Sequence, residues 1–240
     1  MRKAISIQIV FLIFTILIPV FLIQAQTKYP ETCAVLQIAY RSEIQANLAY
    51  MAYAQKAISE NYPNIGHLFV SLAASEAIHA RNFKKLLSDL GVEVKETSKS
   101  EIKVSSTKKN LKNATQVELQ EIDQKYPQFI EKVKPEMHEA ALQNITYAWE
   151  SEKQHRDLIQ KIESGTGVLF GVLTRTIEKT PTRFFVCQNC GSTLQELPKD
   201  ICPICKSPVS QYKEVERIKA TSNNLISRVR NSLNRNYQKC

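Results

Sequence analysis

Ser75-Glu76-Ala77-Ile78-His79-Ala80 and Ser151-Glu152-Lys153-Gln154-His155-Arg156 decide the fold of this 240-residue chain. Each contains Glu-x-x-His within a long helical pattern. Residues three apart project from one face of a helix. Two such helices packed face to face aim two carboxylates and two imidazoles at one point. A Glu at the centre of an apolar stripe is costly to bury without a cation beside it. Two metal ions ~3.5–4 Å apart suit such a set, because one carboxylate can span both, while His supplies a neutral terminal ligand.

Working outward, four helical stretches carry this face. The first runs over about 32–59, with Leu36, Glu43, Tyr50 and Ala57 on one stripe. Asn61-Tyr62-Pro63-Asn64 ends it. The second runs over about 65–90, with Phe69, Leu72, Glu76, His79, Phe83 and Leu86 on its inner face and Gly91 as its stop. A polar, Lys- and Ser-rich stretch over 92–113 is too long for a tight turn and suits a crossover connection. Thr115-x-x-Glu118 reads as a capping box opening the third helix, which ends near Lys134-Pro135. The fourth starts at about Pro135 and ends near Glu163, with Ile145, Glu152 and Ile159 inward. On residue pattern alone Glu43 completes the first helix's share of the site, and Glu118 and Glu121 compete for the third helix's share. His67 and His138 fall outside any motif and read as ordinary helix residues; Trp149 packs beside the site. The expected class is mainly α: a ferritin-like four-helix bundle, followed by a small four-cysteine domain.

That second unit rests on Cys187-x2-Cys190-x11-Cys202-x2-Cys205. Two such knuckles set four thiolates around one tetrahedral ion, and the spacing accepts iron or zinc. Cys33 and Cys240 remain, and a bridge or free thiols are both open for them. The implied organisation is a targeting segment over 1–25, a bundle over 26–165, a linker over 166–181 with a short helix at 168–177, the cysteine domain over 182–215, and a basic tail over 216–240. Leu225, Val229 and Leu233 give that tail an amphipathic helical pattern.

The net charge of +9 is uneven, with Lys95, Lys99, Lys103, Lys108, Lys109 and Lys112 in the crossover. We read these as a solvated loop, with no nucleic-acid partner. Arg2 and Lys3 precede an almost wholly apolar run from Ala4 to Ile23. This is a signal peptide or an uncleaved anchor, near the roughly 20 residues that span a bilayer. The folded part is therefore expected outside the cytoplasm, periplasmic or facing that side, with membrane contact only through this segment.

The sequence resembles the rubrerythrin family. The resemblance rests on Ser42-Glu43-Ile44-Gln45-Ala46 with Tyr50, on Glu76-Ala77-Ile78-His79-Ala80, on Tyr126-Pro127, on Glu152-Lys153-Gln154-His155, and on the cysteine domain ending in Gln211-Tyr212-Lys213. It covers about residues 33–215. It implies a rubredoxin-like cysteine domain and a carboxylate-bridged, non-haem di-iron centre held by Glu43, Glu76, His79, Glu121, Glu152 and His155. It further implies one iron on Cys187, Cys190, Cys202 and Cys205, zinc being the structural alternative. Tyr50 and Tyr126 match tyrosines beside the family's site, and we include them among the candidate catalytic residues.

In that family two acidic residues three apart precede the Tyr-Pro. The resemblance aligns Glu121 with the first and Gln124 with the second. Gln124 then leaves one side of the centre short of an anionic ligand, and His79 is expected to stay bound in both oxidation states. The implied activity is an oxidoreductase of oxidative-stress defence that reduces hydrogen peroxide to water with electrons passed through the thiolate iron. A homodimer and an unidentified electron donor are implied with it. A dioxygen-using ferroxidase or oxidase is the first alternative, and Gln124 makes it a serious one. A non-enzymatic metal-binding bundle with a structural zinc ribbon is the second.

Overall fold

A computed structural model describes residues 28–94, 101–166 and 181–218. The targeting segment, the helix expected at 168–177, the helical pattern of the tail and Cys240 lie outside the described residues. Among the described residues no helix is long and apolar enough to cross a membrane.

Helices α1 (Pro30–Ser59) and α2 (Pro63–Asp89) form an antiparallel pair. Both begin with Pro in the first turn, where its missing N–H would have been unsatisfied in any case. Asn61 takes a left-handed φ of 64° to turn the chain between them. At Gly66 the two backbones come close: a Cβ there would lie 2.8 Å from Ile58 Cγ1 and 3.2 Å from the Ala54 carbonyl oxygen.

The third rod is composite. It consists of α3 (Thr107–Gln120), a π-helical turn (Glu121–Lys125) and α4 (Tyr126–Val133). It starts eight residues before the expected capping box, so Thr115 lies inside α3 and not at its start. The cap comes instead from far away in sequence: Glu60 Oε2 accepts the Thr107 N–H at 2.8 Å. The rod ends in a short 3-10 turn over Lys134–Glu136, and Met137 adopts φ 52°. Helix α5 (Glu139–Thr166) therefore begins four residues later than Pro135. His138 sits just ahead of it and accepts the Ala141 N–H on Nδ1 at 3.1 Å. The carboxylate of Glu136 turns back to accept the N–H groups of Glu31 and Thr32 at the start of α1.

The four rods enclose two apolar clusters with a polar layer between them. Leu36, Tyr40, Phe83, Leu87, Tyr126, Phe129 and Ile145 pack on one side of that layer. Tyr50, Leu68, Phe69, Leu72, Leu111 and Ile159 pack on the other. Burying aliphatic and aromatic side chains stabilises by ~1.5–3 kcal/mol each, so the two clusters offset the cost of the charged layer.

The C-terminal unit is a three-stranded antiparallel sheet in the order β2-β1-β3, built from β1 (Phe185–Cys187), β2 (Thr193–Leu194) and β3 (Tyr212–Glu214). Val186 pairs with Thr193 on one side and with Lys213 on the other. Phe184, just before β1, joins the second apolar cluster of the bundle. His67 of α2 secures the same edge. Its Nε2 donates to the Val215 carbonyl at 2.9 Å, and its Nδ1 meets Thr182 Oγ1 at 3.0 Å. His67 is thus a clamp between the two units, not an ordinary helix residue.

Candidate metal centres

Two four-residue groups share the polar layer: Glu43, Glu76, His79 and Glu152, and Glu76, Glu118, Glu152 and His155. Glu76 and Glu152 belong to both. Within each group one ligand atom per residue lies within 4.8 Å of the others. Glu43, Glu76, Glu118 and Glu152 are each 1% exposed.

The geometry has an approximate two-fold pattern. His79 Nδ1 is 2.9 Å from Glu76 Oε2, 3.2 Å from Glu152 Oε1 and 3.9 Å from Glu43 Oε2. His155 Nδ1 is 2.9 Å from Glu152 Oε2, 3.2 Å from Glu76 Oε1 and 3.9 Å from Glu118 Oε2. One N–H cannot serve three carboxylates. A lone pair at the same place, facing a cation that the carboxylates surround, serves them all. Glu76 and Glu152, shared by both groups, would hold both ions, with Glu43 completing the His79 side and Glu118 the His155 side.

The buried oxygens support this. Glu43 Oε2, Glu76 Oε1, Glu118 Oε2 and Glu152 Oε1 accept no hydrogen bond. Orphaned buried carboxylate oxygens are costly, and two divalent cations in the layer would satisfy all four. The residues therefore fit a di-metal centre.

The electrostatics agree. Burial, then the charges of Glu152 and Glu76, pushes Glu118 well above the usual carboxylate range. Burial, then the charge of Glu121, pushes Glu43 up to about 8. Burial disfavours the charged forms of both imidazoles, but the surrounding glutamates win. They hold His79 well above its usual value and raise His155 to about 10. Glu152 moves the other way: burial opposes its charge, but His155 and His79 keep it below the usual range. Without metal, the two imidazoles act as the cations of the site.

Each terminal carboxylate is held by a tyrosine. Tyr126 Oη donates to Glu43 Oε1 at 2.6 Å, and Tyr50 Oη donates to Glu118 Oε1. Both tyrosines are thus placed symmetrically about the layer.

The third rod corrects the sequence reading. Glu118, and not Glu121, stands with His155 in the ligand groups. Glu121 is buried at the edge of the layer, where Lys125 Nζ donates to its Oε1 at 2.6 Å and Ser42 Oγ donates to the same atom at 3.1 Å. The two acidic residues three apart are therefore Glu118 and Glu121. Gln124 is exposed, and the buried acidic pair of this rod is already complete, so no carboxylate is missing there. The physical reason is the π turn, which begins at Glu121 and alters the helical phase of the residues beyond it. Trp149 Nε1 donates to the Ile122 carbonyl inside that turn at 2.9 Å, so Trp149 supports the turn besides packing beside the site.

The four cysteines form the second centre. Cys187 Sγ lies 3.7 Å from Cys205 Sγ, and Cys190 Sγ lies 3.6 Å from Cys202 Sγ. A tetrahedron with ~2.3 Å metal–sulfur bonds has an edge of about 3.8 Å, whereas a disulfide needs about 2.05 Å. The knuckles turn through Gly191 at φ 83° and Lys206 at φ 60°. Lys206, standing where a glycine is common, is tied by its Nζ to the Pro203 carbonyl at 2.6 Å. Tyr212 Oη donates to Cys202 Sγ at 3.2 Å.

The two centres meet through the outer nitrogens of the histidines. His79 Nε2 is 3.2 Å from the Cys190 carbonyl. His155 Nε2 is 3.4 Å from Thr193 Oγ1 and 3.4 Å from Ser151 Oγ. With Nδ1 facing the layer, Nε2 carries the proton and donates outward, which fixes the tautomer of each ligand. Ser75 Oγ donates to the Gly191 carbonyl at 2.7 Å, and Gln154 Oε1 accepts from the Thr193 N–H at 3.0 Å. Nothing local in the sequence signals the contacts to Cys190, Gly191 and Thr193, since they join residues more than 35 positions apart.

The family profile described as Rubrerythrin matches residues 34–163. Rubrerythrin-2 of Clostridium acetobutylicum is 30% identical over 178 residues, covering 74% of this chain and 93% of that protein. Rubrerythrin of Porphyromonas gingivalis is 28% identical over 187 residues, covering 75% and 88%. Among solved structures, nigerythrin in its fully reduced, all-ferrous state matches with a TM-score of 0.64 at 25% identity, over 77% of this chain and 86% of that one.

Proposed function

Because this chain belongs to the rubrerythrin family, and so to its di-iron oxidoreductases, we propose that it reduces hydrogen peroxide to water, with electrons entering through an iron held by Cys187, Cys190, Cys202 and Cys205. The carrying observation is the 3.2 Å contact between His79 Nε2 and the carbonyl of Cys190. One hydrogen bond separates a ligand of the bundle centre from the backbone of a thiolate ligand. A zinc ribbon kept only for folding has no use for that adjacency.

Bound in the polar layer, a pair of iron ions supplies the two electrons that, with two protons, turn one peroxide into two waters. The chain's residues set the conditions. Glu76 and Glu152, which belong to both ligand groups, would hold the pair. Tyr50 and Tyr126 orient Glu118 and Glu43, and their hydroxyls are donors within the layer. The two apolar clusters keep bulk water out. Cys190 and Thr193 hold the proton of each histidine on Nε2, leaving Nδ1 free for metal. Gln124 is exposed, so it offers no support for dioxygen over peroxide. We further propose that residues 1–25 direct the chain out of the cytoplasm.

Turnover with peroxide and with dioxygen tests the oxidant, using anaerobically purified protein, one reductant and equal concentrations. A clear preference for peroxide is expected. Equal or faster turnover with dioxygen contradicts the proposal.

A further inference from the structure

We propose that Gln154 is a positioning residue that lowers the reduction potential of the thiolate-bound iron, by drawing the Ser192 proton away from Tyr212 and so loosening the hydrogen bond from Tyr212 to Cys202. The inference rests on the reading of the four cysteines as an electron-entry iron site.

The contacts form a chain from one unit to the other. Tyr212 Oη lies 3.2 Å from Cys202 Sγ and 2.8 Å from Ser192 Oγ. Ser192 Oγ lies 3.0 Å from Gln154 Oε1, which also accepts the Thr193 N–H at 3.0 Å. Gln154 belongs to α5, two positions after Glu152 and next to His155. Thr193 fixes the direction of the protons. A backbone N–H can only donate, so the amide presents its oxygen to the sheet. That oxygen can only accept, so Ser192 must donate to it. Having given its one proton there, Ser192 can only accept from Tyr212.

Two hydroxyl protons therefore serve three contacts. A cysteine bound to an ion is a thiolate and brings no proton of its own, so Cys202 Sγ also accepts. Tyr212 faces two acceptors with a single proton. Ser192 and Tyr212 are both buried, which leaves the two hydroxyls to settle these contacts between themselves. A hydroxyl that donates becomes a stronger acceptor, so Ser192, while bonded to Gln154, competes with Cys202 for the Tyr212 proton. Without Gln154, Ser192 turns to donate to Tyr212 Oη, and Tyr212 gives its proton wholly to Cys202.

The ferrous form of a four-thiolate site carries one negative charge more than the ferric form. A proton donated to sulfur stabilises that form more, and hydrogen bonds to sulfur help to set the potential of thiolate-bound iron. Loosening this one lowers the potential. Gln154 reaches Ser192 only where the cysteine unit sits on α5. The iron is thus the better electron donor in the position from which it faces the bundle.

An anaerobic redox titration of the full-length, iron-loaded protein tests the chain, with the visible absorption of the ferric thiolate site reporting its midpoint potential. Ser192→Ala removes the second acceptor of Tyr212 and keeps the bond between Thr193 and Gln154, so the potential should rise. Gln154→Leu should raise it as well, and either variant carries the test if the other does not fold. Tyr212→Phe should lower the equilibrium constant for reduction about tenfold, which is about 59 mV for one electron. In that background neither of the other changes should move the potential. An unchanged or lower potential in Ser192→Ala would overturn the proposal. So would a rise in Gln154→Leu that survives in the Tyr212→Phe background, because Gln154 would then act only by shielding the site from solvent. The midpoint is read whether or not electrons pass to the bundle, so a failure of electron entry itself shows separately, as a thiolate iron that peroxide leaves reduced.

Discussion

Glu118→Gln should have opposite effects on the metal-free and iron-loaded protein. In the metal-free state Glu118 is buried against the charges of Glu152 and Glu76, which raise it well above the usual carboxylate range. A group whose folded pKa is raised costs stability once the pH exceeds its unfolded value. At neutral pH that cost is present, and an uncharged isostere removes it. Each kcal/mol recovered raises Tm by about 2–4 °C for a chain of this size, so the metal-free variant should melt a few degrees higher. With iron the sign reverses. Glu118 would be the anionic ligand on the His155 side, and Gln offers only a weak neutral oxygen. Even changes to groups behind a metal ligand cost ~10–100-fold in affinity. Loss of the ligand should cost at least about 100-fold, or about 2.7 kcal/mol. The assay pairs calorimetry of the chelator-treated and iron-loaded proteins with metal analysis. Retention of two bundle irons by Glu118→Gln, or an equal loss in Glu121→Gln, would refute the assignment.

The same geometry carries three further outcomes. Glu43, raised to about 8, and His155, raised to about 10, both bind protons more tightly in the folded metal-free protein. Their stabilisation is complete at low pH and is lost as pH rises, so the metal-free Tm should fall between pH 6.5 and 8; a Tm that rises there contradicts the charge assignment. Gly191→Ala places a Cβ 2.3 Å from His79 Nε2 at a residue with φ 83°; it should slow electron transfer from the thiolate iron to the bundle at least tenfold while both metal contents persist, as rapid-mixing spectroscopy would record. Trp149→Phe removes the hydrogen bond to the Ile122 carbonyl; it should lower stability by about 1–3 kcal/mol, and an unchanged denaturation midpoint would show that the π turn does not depend on it.

Much of the bundle site was legible because its signal is local. Glu76 with His79, and Glu152 with His155, repeat at three-residue spacing, and Glu43 stands alone on an apolar stripe. The third rod was not legible in the same way. Glu118 and Glu121 both face inward on any regular helix, and the π turn that separates their roles has no pattern of its own. Its start was misread for a related reason: the cap on Thr107 is Glu60, 47 residues away, while Thr115 and Glu118 imitate a local one. The role of His67 and the meeting of His79 with Cys190 depend on how two units pack, and residue spacing carries no trace of that.

Electron entry is the central claim, and a single-turnover measurement tests it most directly. The fully reduced, iron-loaded protein is mixed anaerobically with two equivalents of hydrogen peroxide, enough to take all three of its electrons, while the absorption of the thiolate-bound iron is followed. The account predicts that peroxide is consumed first at the bundle. The thiolate iron is then oxidised as its electron passes to the oxidised bundle, and Glu118→Gln abolishes both events. Peroxide consumption with the thiolate iron left reduced throughout would contradict it.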